Sequence, residues 1–117
     1  MKEKVAKKWC KALKSGKYKQ STERLQTLEG FCCLGVLCDL SKQGKWSKFD
    51  FCEGHLYKCK DGSVAETQLP EPVIEWAGMH PDTYLGSSPD TSLIEMNDGG
   101  KTFKKIAKYI KKNYATL

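Results

Sequence analysis

The sequence predicts one α+β domain, mostly helical, with about four to five helices and a small antiparallel β-ribbon inserted near residues 46–68. Three observations carry this expectation. Lysine-faced amphipathic patterns occupy both ends of the chain, and an uncharged run with three cysteines spans Phe31–Cys38. Asp61-Gly62 separates two strand-like runs. At 117 residues the chain can bury one core and not two. No linker or internal repeat divides residues 1–117.

Val5, Ala6, Trp9, Ala12 and Leu13 recur at helical spacing, so the first helix covers roughly residues 3–15, with Gly16 as its cap. Lys17 to Gly30 is polar without helical periodicity and reads as a long excursion or a short strand with turns. The next helix covers Cys32–Lys42. It is apolar all round at first, which implies burial on most faces, and Gly35 allows another backbone to come close. Gly44 is expected to end it. Trp46, Phe49 and Phe51 alternate loosely, and Leu56–Cys59 and Ser63–Ala65 flank the Asp-Gly hairpin signal.

Pro70 and Pro72 bracket the start of a short helix that runs through Ala77, because proline fits a first turn and not an interior. His80–Pro89 reads as a loop. Asp90-Thr91-Ser92 is an N-cap cluster ahead of Leu93, Ile94 and Met96, and Gly99-Gly100 stops that helix. The last helix aligns Phe103, Ile106, Ala107, Ile110 and Tyr114 on one stripe, with six lysines from Lys101 to Lys112 covering the rest.

Composition narrows the function classes. Hydrophobic residues make up 39% and charged residues 29%, which suits a folded globular chain of net charge +6. No apolar run approaches the about 18–20 residues of a membrane span, and the lysine-rich N-terminus lacks a signal-peptide centre. The expectation is a cytoplasmic protein with no membrane partner. In a reducing compartment its six cysteines act as free, small apolar groups.

Several constellations suggest chemistry and have a plainer reading beside it. Cys52, His55, Cys59 and Cys38 could surround zinc, but a second close ligand pair is missing, so packing is the expectation and no metal is assigned. Cys32 and Cys33 begin a helix, where the dipole favours a thiolate, yet neither His55 nor His80 is placed beside them. Leu93–Ala107 resembles half of a helix-turn-helix, but no recognition helix fits after Tyr114, which leaves an αα-hairpin with a lysine-rich face. Such a face still attracts phosphates.

Ser15–Arg24 is richer. Lys17, Tyr18, Lys19, Gln20 and Arg24 bring together point charges, an aromatic ring, an amide and a guanidinium. Arginine can grip phosphate bidentately, tyrosine can stack on a base, and glutamine can read its edge. The plainer reading is a polar loop that Tyr18 anchors to the core.

Four segments resemble a known group. Lys14-Ser15-Gly16-Lys17-Tyr18-Lys19-Gln20, Phe31–Leu40, Leu69–Gly78 and Met96-Asn97-Asp98-Gly99-Gly100-Lys101-Thr102-Phe103 are similar, in that order, to small uncharacterised proteins encoded by bacteriophages and prophage-bearing bacteria. The likeness leaves out residues 46–68, which look like a variable insert. It implies context: a phage accessory, counter-defence protein acting in the host bacterial cell.

In that context the leading expectation is a non-enzymatic protein that binds and sequesters a small anionic, nucleotide-derived host immune signal. Lys17, Tyr18, Lys19, Gln20 and Arg24 would form the ligand-binding set, with Asn97 and Asp98 reaching ribose, and no cofactor. The alternative is an inhibitor that binds a host defence protein or nucleic acid through its lysine-rich surface. An enzyme acting on nucleotides is the third class, and the chain carries no P-loop or nucleophile elbow for it. A homo-oligomer is compatible with each.

Overall fold

Two helices from opposite ends of the chain pack side by side in the computed structural model, which describes residues 1–49, 54–80 and 92–117. Helix α1 (Glu3–Lys14) turns Val5, Ala6, Trp9, Cys10 and Leu13 inward. The C-terminal helix, Phe103–Asn113, answers with Phe103, Ile106, Ala107 and Ile110. Each fully buried large side chain contributes roughly 1.5–3 kcal/mol, so the two stripes hold the pair together without help from the charged faces. Backbone at Gly16 turns the chain away at φ 79°.

Helix α2 (Cys33–Ser41) is the centre of the core, as its composition predicts. Cys33, Leu34, Gly35, Val36, Leu37, Cys38 and Ser41 are all buried. Trp9 Nε1 donates to the Cys33 carbonyl at 2.9 Å, which fixes α1 across the start of α2. Gly35 is required here: a Cβ at that position would run into the Leu25 carbonyl. The helix does not run on to Gly44. It stops at Ser41 because Lys42 adopts the left-handed region at φ 54°, and Gly44 opens the following strand.

Strands β1 (Gln26–Thr27), β2 (Gly44–Phe49), β3 (Gly54–Cys59) and β4 (Val64–Ala65) form one antiparallel sheet centred on β3. Strand β2 pairs with β3 in the register Trp46 to Tyr57. Strands β1 and β4 pair with other residues of β3, Gln26 with His55 and Tyr57 with Ala65. The Asp61-Gly62 turn is present, with Gly62 at φ 93° and Asp61 Oδ1 accepting from Ser63 N at 2.9 Å.

One expectation is corrected. The ribbon begins at Gly44, two residues before the expected start; β1 ties it to the 17–30 excursion, and Tyr57, Cys59 and Ala65 join the core.

Helix α3 (Glu71–Ala77) starts after Pro70 and ends at Gly78 in the left-handed region. Helix α4 (Leu93–Asp98) is capped by Ser92, whose hydroxyl accepts from Glu95 N, and Gly99 follows it. Helix α5 is the C-terminal helix already described, and its Thr102 cap accepts from Lys105 N. A short 3₁₀ turn, Tyr114–Thr116, closes the chain. The expected loop at 80–89 and the caps at Asp90 and Thr91 fall on residues 81–91, outside the described residues apart from His80. So do Phe51 and Cys52.

Candidate functional site

The residues expected to bind a ligand do not form one site, because most of their polar atoms hold the fold. Asn97 on α4 is 1% exposed. Its Oδ1 accepts from Gln20 Nε2 at 2.9 Å and from Cys33 N at 3.2 Å, while Nδ2 donates to the Ser21 carbonyl at 2.8 Å. Gln20 is equally committed: Nε2 also donates to the Lys101 carbonyl, and Oε1 accepts from Phe103 N at 3.1 Å. Asn97 therefore has no surface to offer a ribose. Asp98 Oδ1 accepts from the backbone of Glu23 at 2.9 Å.

Tyr18 follows the plainer reading, as an anchor. Its hydroxyl donates to Asp39 Oδ2 at 2.5 Å, and Trp46 Nε1 donates to the other carboxylate oxygen at 3.1 Å. Its ring meets Phe31 edge-on at 5.1 Å, Phe31 meets Trp46 at 5.6 Å, and Trp46 meets Tyr57 at 4.9 Å. Edge-to-face packing of this kind uses the ring for cohesion and leaves less of it for stacking on a base. Burial, then the Asp39 carboxylate, pushes the Tyr18 phenol well above the ordinary tyrosine range. Arg24 Nη1 is paired with Glu66 Oε1 at 2.6 Å, which balances the guanidinium expected to grip phosphate. Lys17 and Lys19 are exposed on either side of Tyr18.

Among the described residues, Cys10, Cys32, Cys33, Cys38 and Cys59 are free, buried and pack in the core. Burial pushes Cys32 up to about 11 and raises Cys33 and Cys38 still more firmly. Cys32 serves as the cap of α2, its sulfur accepting from Gly35 N at 3.4 Å. Cys52 of the considered zinc set lies outside the described residues. Among the described residues, no three His, Cys, Asp or Glu are gathered as a metal set.

A different site appears where α1 meets the end of α5. A groove of about 640 Å³ is floored by Ala6, Cys10 and Tyr114 and rimmed by Lys7, Lys11, Lys14 and Lys111. The α1 lysines follow the i, i+4, i+7 spacing of one helix face. Lys7 is paired with Glu3 at 3.1 Å. Lys11, Lys14 and Lys111 have no carboxylate within ion-pair distance among the described residues. The Cys10 thiol donates to the Ala107 carbonyl at 3.3 Å at the foot of the groove. Burial raises its pKa, with Lys14 and Lys111 pulling the other way.

Charge is segregated toward this face. Helices α1 and α5 carry ten exposed lysines and one glutamate, a net +9 in a chain of net +6, so the remainder is net −3. The sequence displays both lysine faces and both apolar stripes. What it does not display is that the two helices are neighbours, because their pairing joins residues about a hundred positions apart.

The fold and the groove define a small α+β domain with an apolar-floored, lysine-rimmed cleft between its terminal helices. Within the described residues no helix is long and apolar enough to cross a membrane. The chain belongs to the DUF8296 family, described as a domain of unknown function, whose family model matches residues 1–114. No curated protein and no solved structure matches it.

Proposed function

We propose that this protein binds a small anionic ligand of nucleotide type in the groove between α1 and α5 and holds it without transforming it. The groove carries the reading. Its volume of about 640 Å³ falls within the range typical of small-molecule sites, about 300–1,000 Å³. The apolar floor and the Tyr114 ring suit a flat base, and ammonium groups act as point charges toward phosphates. The resemblance to phage-encoded proteins supports sequestration of a host immune signal as the use of such a site, in the bacterial cytoplasm. The binding set thereby moves from Lys17, Lys19 and Arg24 to Lys11, Lys14 and Lys111.

The test is a thermal-shift screen against cyclic di- and trinucleotides, ADP-ribose derivatives, single-stranded DNA and duplex DNA. A ligand at about 100 times its dissociation constant adds roughly 2.7 kcal/mol, a shift of several degrees for a domain of this size. One small nucleotide should stabilise the wild type and leave a K11E/K111E variant unshifted. A shift that survives in that variant overturns the site.

A second reading rests on its own observation. The ten exposed lysines extend beyond the groove across both helices, which suits a nucleic-acid backbone as an inhibitor would use it. Stabilisation by DNA alone, lost steeply with added salt, selects that reading.

A further inference from the structure

The groove between α1 and α5 has two chemically different ends. The helices run antiparallel: the Met1 amino group donates to the Leu117 main-chain oxygen at 3.2 Å, and the Cys10 thiol donates to the Ala107 carbonyl at 3.3 Å. Tyr114 therefore lies toward the Glu3 end of α1, while Lys14 and Ser15 lie at the other end. At a rise of 1.5 Å per residue, Glu3 and Lys14 stand about 16 Å apart along the helix, which gives room for a nucleotide laid lengthwise. Among the described residues that line the groove, Glu3 is the one carboxylate.

Glu3 is presented together with a donor. Lys7 Nζ lies 3.1 Å from Glu3 Oε1, one helical turn on, and both residues line the groove. A carboxylate oxygen has two lone-pair sites, so Oε1 can keep Lys7 and still accept from a ligand. Two acceptor oxygens with an ammonium beside them thus face the groove at its Tyr114 end. The Watson–Crick edge of guanine is the complement of this pattern: N1–H and N2–H are adjacent donors, and the O6 acceptor stands next to them. Adenine and cytosine set a ring-nitrogen acceptor in the middle of that edge, and uracil flanks its single N–H with two acceptors. A carboxylate repels each of those acceptors.

We propose that the groove selects guanine nucleotides, with the base against the Tyr114 ring and its Watson–Crick edge on Glu3 and Lys7. The phosphates then lie toward Lys11 and Lys14, and Lys111 reaches them from α5. The inference rests on the groove being the nucleotide site and adds which base it takes. Glu3 also sits in the first turn of α1, where a carboxylate suits the helix dipole. That role is indifferent to the base, so base preference separates the two.

Calorimetric titration of the full chain with GDP, IDP and ADP tests the proposal, because the three ligands share ribose and phosphates and differ only in the base. GDP should bind about tenfold more tightly than ADP, the discrimination usual for a two-bond contact to a base edge. IDP, which lacks the N2 amine, should fall between them. In Glu3→Gln the GDP affinity should drop about tenfold to the level of ADP, with ADP little changed. This variant folds, since an exposed i, i+4 pair adds little to stability. The K11E/K111E variant should weaken all three ligands alike. Equal affinity for GDP and ADP, or a GDP preference that persists in Glu3→Gln, overturns the base assignment and leaves the groove reading standing if K11E/K111E still abolishes binding. Failure of all three ligands to saturate overturns both.

Discussion

Gln20 Nε2 donates to Asn97 Oδ1 at 2.9 Å across 77 positions of sequence, and around this contact the two carboxamides gather four backbone groups from three separate segments. Cys33 N at the start of α2, the Ser21 carbonyl, the Lys101 carbonyl and Phe103 N at the start of α5 all end on these two side chains. Replacing Asn97 by Ala strands the Ser21 carbonyl and the Cys33 N–H together. With each unsatisfied buried group costing about 1–3 kcal/mol, a loss of about 3 kcal/mol or more is expected in urea denaturation.

Asn97→Asp offers a sharper version. It preserves the shape but sets a carboxylate oxygen against the Ser21 carbonyl. The buried carboxylate resists ionisation, so the variant should recover part of its stability in mildly acidic buffer, where its protonated form can donate again. Equal destabilisation at neutral and acidic pH would show that the Nδ2 donor is not what matters.

Gly35→Ala tests the close approach of α2 to the 17–30 excursion. The added methyl meets the Leu25 carbonyl, which is backbone and cannot swing aside. Cys32 N also donates to that carbonyl, at 3.1 Å, so moving it breaks a second interaction. Overpacking against a rigid neighbour costs typically 1–3 kcal/mol. The expected result is a fall in the urea midpoint at the upper end of that range, with the helical circular dichroism signal retained.

Lys42→Gly should go the other way. Lys42 ends α2 at φ 54°, a conformation that costs an L-residue about 1–2 kcal/mol and glycine almost nothing. After glycine's larger unfolded-state entropy is subtracted, a gain of about 0.5–1 kcal/mol is left, visible as a rise of a few degrees in Tm.

These variants mark what could be read along the chain. Helices α1 and α5 were legible because their apolar residues repeat at a helical period, α2 because its uncharged run is apolar all round, and the Asp61-Gly62 turn because its chemistry is local. The end of α2 was hidden because a lysine occupies the left-handed position where glycine is the usual signal. Gln20 and Asn97 carry polar side chains that are equally suited to a ligand and to an internal bond, and only their meeting in space decides between the two. The groove needs α1 beside α5, and the balancing of Arg24 needs Glu66 beside it. Both are non-local pairings, which no periodicity records.

Alkaline pH should unfold the protein through its buried acids, and the sign follows from the direction of their shifts. Burial raises Cys32 from 9.0 to about 11, and moves Cys33, Cys38 and Tyr18 upward as well. Between its unfolded and folded pKa each group is protonated in the native state and ionised in the unfolded one. The native state then binds more protons, so stability is fully present below the ordinary thiol value of 9.0 and declines as pH rises toward 11. Urea unfolding across this range should show that decline. Cys32→Ala should flatten its first part, and Tyr18→Phe should flatten the part above pH 10, the ordinary tyrosine value. Tyr18→Phe also gives up the Asp39 hydrogen bond, so it should be less stable than the wild type at neutral pH by about 1–2 kcal/mol. Iodoacetamide labelling mapped by mass spectrometry supplies the independent check: Cys33 and Cys38, both fully buried, should stay unmodified in the native protein and react on unfolding. Labelling of either in the folded state would mean that α2 opens without global unfolding, and the alkaline decline would then report that local event.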